Sequence, residues 1–132
     1  MITVLFVCIE NSCRSQMAEG FAKRFGQNII ESYSAGSKPS GKINLDAVKV
    51  MLEDGIDISQ QASKGFKDIP VKKIDFVITL GCKDSCPLVN ASKHVEWDIE
   101  DPKDRGIEHF RAARDDIKQK VLTFINEISN TN

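Results

Sequence analysis

The sequence predicts a three-layer, doubly wound α/β fold with a four-stranded parallel sheet. Short apolar segments alternate with amphipathic helical patterns along the chain, which implies βαβ units and helices on both faces of a sheet. The first apolar segment, VLFVC, is continuous rather than alternating, as is typical of a parallel strand buried on both faces. The chain has 132 residues and no internal repeat, so we expect residues 1–132 to form a single domain.

The first half of the chain predicts two strands with a helix between them. The first strand covers residues 3–8, where the apolar run is unbroken. Apolar side chains then recur at helical spacing over residues 15–25, and Gly26 ends that pattern. Residues 29–34 are predicted to form the second strand.

The second half predicts two more helices and two more strands. Asn44 is a helix N-cap, and Gly55 follows the end of the same helix. Residues 56–70 are irregular and polar, with one turn expected. The remaining elements are two strands and a long amphipathic helix, over residues 74–80, 93–97 and 107–128.

Composition narrows the class of function. Eighteen basic residues against nineteen acidic ones give a net charge of −1, which disfavours nucleic acid and membrane surfaces as partners. No apolar stretch approaches a membrane span, and the N-terminal residues lack the charged start of a signal peptide. We therefore expect a cytoplasmic protein. We also expect a monomer, although composition does not determine the oligomeric state. In a reducing compartment, the four cysteines favour catalytic, redox or metal roles over static disulfides.

Three chemically active side chains follow three different predicted strands. Cys8 ends the first strand, Cys82 follows the third, and Asp101 follows the fourth. Ligands of open parallel sheets bind at the carboxyl ends of the strands. The topology therefore places these three residues at the same edge of the sheet.

The segment from Cys8 to Arg14 has the features of an oxyanion-binding loop. Its amides, together with the N-terminus of the following helix, suit a tetrahedral oxyanion and favour the thiolate form of Cys8. The guanidinium of Arg14 can hold two of the anion's oxygens. Asn11 can adopt the positive φ that a tight loop needs. The residues expected to surround the anion are Ile9, Glu10, Asn11, Ser12, Cys13, Arg14 and Ser15. The alternative is that Cys8 is only a small buried apolar residue at a strand end.

The loop and the motifs that follow it resemble a known family. The C-x5-R pattern followed by SQMAEG resembles the low-molecular-weight protein tyrosine phosphatase superfamily. The longer string NSCRSQMAEG is most similar to its thioredoxin-coupled arsenate reductase branch. YSAG, GIDIS, DFVITL and DP are similar to the family in order and spacing, so the resemblance covers nearly the whole chain.

The resemblance to the reductase branch implies a relay of three thiols. Cys8 would attack arsenate, Cys82 would attack the Cys8 adduct, and Cys86 would then attack Cys82. Thioredoxin would reduce the final disulfide, although glutaredoxin or a small thiol could replace it. The chain departs from the pattern here, because Gly81 precedes the first relay cysteine and only three residues separate the pair.

Other readings of the four cysteines are a structural pair or a zinc site that includes Cys8 and Cys13. Zinc ligands favour tighter spacing such as C-x2-C, and zinc would occupy the oxyanion loop. We therefore expect no metal, and we expect Cys13 to be a packed thiol outside the relay.

The remaining alternative is a phosphatase of the same fold that uses Cys8, Arg14 and Asp101. The resemblance implies that Asp101 is the general acid. Phosphotyrosine-specific members place aromatic residues after Asp-Pro, whereas this chain has KDR at residues 103–105. This difference favours arsenate as the substrate, with sulfate and phosphate as competing oxyanions.

Some reductases of this branch bind potassium beside the oxyanion loop. Asn11, Glu19 and Ser34 match three positions of that site, but Lys64 stands where a carboxylate is expected. The ammonium of Lys64 could pair with Glu19 in place of the ion. We therefore expect no cofactor, potassium included.

Overall fold

The computed structural model describes residues 1–81 and 90–130. Its elements appear in the predicted order, and the third strand begins two residues later than the hydrophobic pattern suggests. The strands are β1 (Ile2–Cys8), β2 (Ile30–Gly36), β3 (Phe76–Leu80) and β4 (Lys93–Trp97). The α-helices are α1 (Arg14–Phe25), α2 (Leu45–Glu53) and α3 (Ile107–Asn130), and a 3-10 helix covers Phe66–Asp68.

The four strands form one parallel sheet in the order β2-β1-β3-β4. The predicted α/β class and the four-stranded parallel sheet are therefore confirmed. The chain moves outward from β1 to β2 and then returns to the other side of β1 to form β3. The end of β1 consequently lies where the winding direction changes, which is the usual ligand position in an open α/β sheet.

The larger hydrophobic core lies on one face of the sheet. Val4 and Phe6 of β1 point to this face and are fully buried, together with apolar residues from all three α-helices. Leu5 and Val7 point to the opposite face, because successive side chains of a strand alternate. There the 3-10 helix and its neighbours supply the cover, through Phe66, Ile69 and Val71. Because β1 is packed on both faces, the surrounding core fixes the strand and therefore the position of Cys8 at its end.

Local signals explain where the helices begin. The side chain of Asn44 accepts a hydrogen bond from the backbone N–H of Asp46 at 2.8 Å, so it caps α2 as predicted. The first nine residues of α1, residues 14–22, are all buried. None of the described helices is both long enough and apolar enough to cross a bilayer.

Candidate active site

Cys8 lies at the carboxyl end of β1, and the predicted oxyanion loop follows it directly. The thiol is only 3% exposed, and Arg14 at the start of α1 is 5% exposed. Both residues line a small cavity of about 20 Å³, together with Asp101 from the segment after β4. The loop residues Ile9, Glu10, Ser12 and Cys13 complete the described lining. The structure thus brings Cys8, Arg14 and Asp101 together, as the topology predicts.

The Cys8 thiol has a specific polar neighbour. Its Sγ lies 2.9 Å from the hydroxyl oxygen of Ser15, and this hydroxyl also accepts a hydrogen bond of 2.7 Å from Asn11 Nδ2. Because the Asn11 amide supplies a proton to the hydroxyl oxygen, the hydroxyl proton of Ser15 is free to point at the sulfur. Ser15 can therefore stabilise a thiolate at Cys8.

The carbonyl oxygens of the loop point toward the neighbouring loops. Ile9 O accepts from the backbone N–H of Lys38 at 2.8 Å, and Ser12 O accepts from that of Asn44 at 3.0 Å. A trans peptide places its C=O and the following N–H on opposite sides, and none of the described peptides is cis. The amides of Glu10 and Cys13 are thus directed to the inner side of the loop, where an anion would bind.

Arg14 is held in place by backbone groups and by Asp101. Its Nη1 donates to the carbonyl oxygen of Ile99 at 3.0 Å, and Nη2 lies 3.6 Å from Asp101 Oδ2. Gly81 packs directly against the guanidinium, because a Cβ at Gly81 would lie 2.3 Å from Arg14 Nη1 and 2.5 Å from Ile99 O. Sequence analysis identified Gly81 only as a departure from the family pattern. The structure shows that this glycine leaves room for the arginine.

A buried network of side-chain amides braces the loop. The sequence indicates the bracing role of the Asn11 amide, but it does not reveal Gln16 and Gln61. Asn11 adopts φ +51°, and Gln16 Nε2 donates to both its backbone and side-chain oxygens, at 3.0 and 2.9 Å. Gln61 Nε2 donates in turn to Gln16 Oε1 at 2.8 Å. The backbone N–H of Lys64 donates to Asn11 Oδ1 at 2.9 Å. Asn11 is therefore fixed from two directions, and it holds Ser15 against the thiol.

We expect Gln16→Met to lower the free energy of unfolding by about 1–3 kcal/mol, because it removes the buried amide that donates to both oxygens of Asn11 and accepts from Gln61. The same change should slow any reaction at Cys8, since the orientation of Ser15 depends on Asn11. Gln119→Met is the matched control, because Gln119 is an exposed residue of α3. Urea denaturation should show no more than about 0.5 kcal/mol of change for the control. Equal effects of the two substitutions would contradict the bracing role.

Cys13 lies in the main hydrophobic core, although it belongs to the same loop. It is 4% exposed, and its Sγ lies 3.6 Å from the Ser12 hydroxyl oxygen. Burial raises the pKa of Cys13 to about 11. The Cys13 thiol is therefore protonated near neutral pH and is a poor nucleophile.

A buried carboxylate with a lysine beside it lies behind the loop. Glu19 is 4% exposed and accepts a hydrogen bond from the Ser34 hydroxyl. Lys64 Nζ lies 3.6 Å from Glu19 Oε1 and 3.4 Å from Ser34 Oγ. An ammonium is a cation and a donor, so Lys64 cannot serve as a ligand to a potassium ion at this position.

Cys82 and Cys86 lie outside the described residues. Within residues 1–81 and 90–130, no three His, Cys, Asp or Glu side chains are grouped as a metal site would require.

Comparison with known proteins agrees with this geometry. The family described as low molecular weight phosphotyrosine protein phosphatase matches residues 3–132. A glutaredoxin arsenate reductase from Synechocystis sp. is 40% identical over 132 residues, which cover 98% of this chain and 100% of that protein.

Two solved structures are also similar to the structure of this chain. An arsenate reductase in the phosphate-binding state has a TM-score of 0.87 and 40% identity, and the match covers 97% of this chain and 99% of that chain. A thioredoxin-dependent arsenate reductase from Corynebacterium glutamicum has a TM-score of 0.83 and 27% identity. That match covers 100% of this chain and 64% of the other. From the family match, the extent of these similarities and the loop geometry, we conclude that the chain belongs to the low molecular weight phosphotyrosine protein phosphatase family.

Proposed function

We propose that the protein is an arsenate reductase in which Cys8 is the nucleophile. The observation that carries this proposal is the buried Cys8 thiol, which contacts Ser15 and shares one small cavity with Arg14 and Asp101. Relatives about 40% identical over nearly the full length are named arsenate reductases, which supports the same activity here.

The first step requires only the residues that line the cavity. Arsenate would bind to the inward-facing amides and to Arg14, which compensate its negative charge. The Cys8 thiolate would attack the arsenic atom, forming a sulfur–arsenic bond as an arsenic–oxygen bond breaks. Asp101 is near enough to Arg14 to act at the same anion, and in its acid form it would give a proton to the departing hydroxide.

The second step transfers two electrons to arsenic. The thiolate of Cys82 would attack the sulfur of Cys8, and the electron pair of the sulfur–arsenic bond would pass to arsenic. Arsenate is thereby reduced to arsenite, and a Cys8–Cys82 disulfide remains. Cys86 would then attack Cys82, releasing Cys8 as a thiolate and leaving a Cys82–Cys86 disulfide. These two cysteines are assigned from the sequence, since both lie outside the described residues.

A dithiol protein of the cytoplasm would reduce the final disulfide. We propose thioredoxin, because the string NSCRSQMAEG resembles the thioredoxin-coupled branch and a structural relative 27% identical is named thioredoxin-dependent. Glutaredoxin or a small thiol is the alternative, and the relative from Synechocystis is named for glutaredoxin. Steady-state rates with each purified reductant would distinguish them.

The second candidate function is a phosphatase that uses the same cavity. The position of Asp101 beside Arg14 favours it, because a carboxyl group next to the bound anion can serve as the general acid that ester hydrolysis needs. Hydrolysis would consume no thiols, so the two functions differ in an observable way.

Counting free thiols tests the proposal. The reduced protein contains four cysteines, and one equivalent of arsenate should leave two free thiols in the denatured, quenched sample. One equivalent of arsenite should form at the same time. A phosphatase would retain all four thiols, and that result would contradict the reductase assignment.

We also propose that the reaction needs no potassium, because Lys64 supplies a cation next to Glu19. Arsenite formation should proceed at the same rate in KCl and in NaCl of equal concentration. Lys64→Met should lower the free energy of unfolding by about 1–3 kcal/mol, because it removes one of the two cations that pair with the buried Glu19 carboxylate, the other being Lys23. The exposed Lys67 gives the matched control, Lys67→Met. Marked stimulation of the unaltered protein by potassium would contradict this prediction.

A further inference from the structure

An ion pair bridges the two segments that line the active-site cavity. Lys103 Nζ lies 2.8 Å from Glu10 Oε1 and 3.0 Å from Glu10 Oε2. Glu10 belongs to the oxyanion loop, and Lys103 follows Asp101 by two residues. The two side chains are 38% and 41% exposed, so the pair lies at the surface.

The backbones of both residues in this ion pair are held by further hydrogen bonds. The backbone N–H of Lys103 donates to Asp101 Oδ1 at 3.1 Å, which fixes Lys103 relative to Asp101. On the other side, Glu10 O accepts from the backbone N–H of Ser40 at 3.1 Å and from Ser63 Oγ at 3.0 Å. The pair therefore joins two braced segments that both contribute to the lining of the cavity, through Glu10 and Asp101.

The cavity behind the pair is small. Its volume of about 20 Å³ is close to the roughly 10–15 Å³ that a single water molecule requires. A compact inorganic oxyanion presents only oxygen atoms to this space. A phosphate monoester carries an additional group on one oxygen. When the phosphate is bound, that group has to extend out of the cavity.

We propose that the Glu10–Lys103 pair is a clasp that selects inorganic oxyanions over aryl phosphate monoesters. The clasp rests on the proposed function, since it acts on the anion that Cys8 and Arg14 would bind. Any oxyanion must enlarge a cavity of about 20 Å³, but an aryl ester adds a ring that must also separate Glu10 from Lys103 in order to bind. Phosphate and arsenate carry only oxygen atoms and do not need the pair to separate. Because exposed ion pairs contribute little energy, the selection amounts to several-fold in relative affinity.

Charge reversal separates the clasp from the general effect of charge on anion binding. Glu10→Lys and Lys103→Glu each place like charges at these two positions and break the pair. The double variant, with both substitutions, restores an ion pair of opposite orientation and keeps the net charge of the unaltered protein. Phosphate and phenyl phosphate carry similar charge, so the ratio of their affinities reports the clasp and not the overall potential.

The affinities can be measured as protection of Cys8 from iodoacetamide, with the labelled peptide quantified by mass spectrometry. Each single variant should bind phenyl phosphate about threefold to tenfold better relative to phosphate, and the double variant should return to the original ratio. Thermal melting checks that all variants are folded.

Two other outcomes have different meanings. If phosphate protects Cys8 but the ratio is the same in every variant, or stays altered in the double variant, the clasp is wrong and the proposed function stands. If neither anion protects Cys8 in the unaltered protein, the oxyanion site fails and the clasp fails with it.

Discussion

Cys8→Ser is expected to lower the rate of arsenite formation by at least about 10⁴-fold, because a serine hydroxyl is a far weaker nucleophile than a thiolate near neutral pH. The two side chains differ by one atom, and the position is 3% exposed, so the fold should be preserved. Arsenite can be measured with excess reductant, and circular dichroism reports whether the variant is folded.

Cys13 provides the matched control for this change. It lies in the same loop but packs in the core, where burial raises its pKa to about 11. Cys13→Ala should lower the free energy of unfolding by about 1 kcal/mol and leave the rate within a few-fold of the original. If Cys13→Ala abolished turnover while Cys8→Ser did not, the assignment of the nucleophile would be wrong.

Gly81→Ala is expected to lower kcat/KM by about 10²-fold, because it displaces the Arg14 guanidinium from the anion. The new Cβ would lie 2.3 Å from Arg14 Nη1 and 2.5 Å from the carbonyl oxygen of Ile99. The carbonyl is a backbone group that cannot move aside easily. Arg14 would therefore have to move, and its hydrogen bond to Ile99 would be lost.

Gly55 separates this steric effect from backbone strain. Both glycines have φ +77°, but a Cβ at Gly55 would meet no atom within 4 Å. Gly55→Ala should therefore lower the free energy of unfolding by about 1 kcal/mol and leave kcat/KM unchanged. Equal losses of kcat/KM in the two variants would mean that strain, and not contact with Arg14, accounts for the effect at Gly81.

The strands and helices could be predicted from sequence because their hydrophobic patterns are strong. The continuous run in residues 3–8 is explained by burial of β1 on both faces. The order of the strands within the sheet was not predicted. The convergence of Cys8 and Asp101 at one sheet edge could still be predicted, because it requires only that the strands be parallel. The structure confirms that convergence, since both residues line one cavity.

The groups that support the site could not be predicted in the same way. Gln16 lies among apolar residues of α1, but a glutamine in a helix usually faces solvent, and its burial depends on the irregular segment that contains Gln61. The role of Gly81 depends on the position of Arg14, which is 67 residues earlier in the chain. Interactions between residues so far apart, with no periodicity to reveal them, appear only once the fold brings them together.

The most direct test of the three-thiol mechanism is a Cys86→Ser variant treated with arsenate and reduced thioredoxin. The mechanism predicts one arsenite per protein molecule, after which a Cys8–Cys82 disulfide accumulates and can be identified by peptide mass spectrometry after an acid quench. Continued turnover at the original rate, with Cys8 and Cys82 both free in the quenched sample, would contradict it.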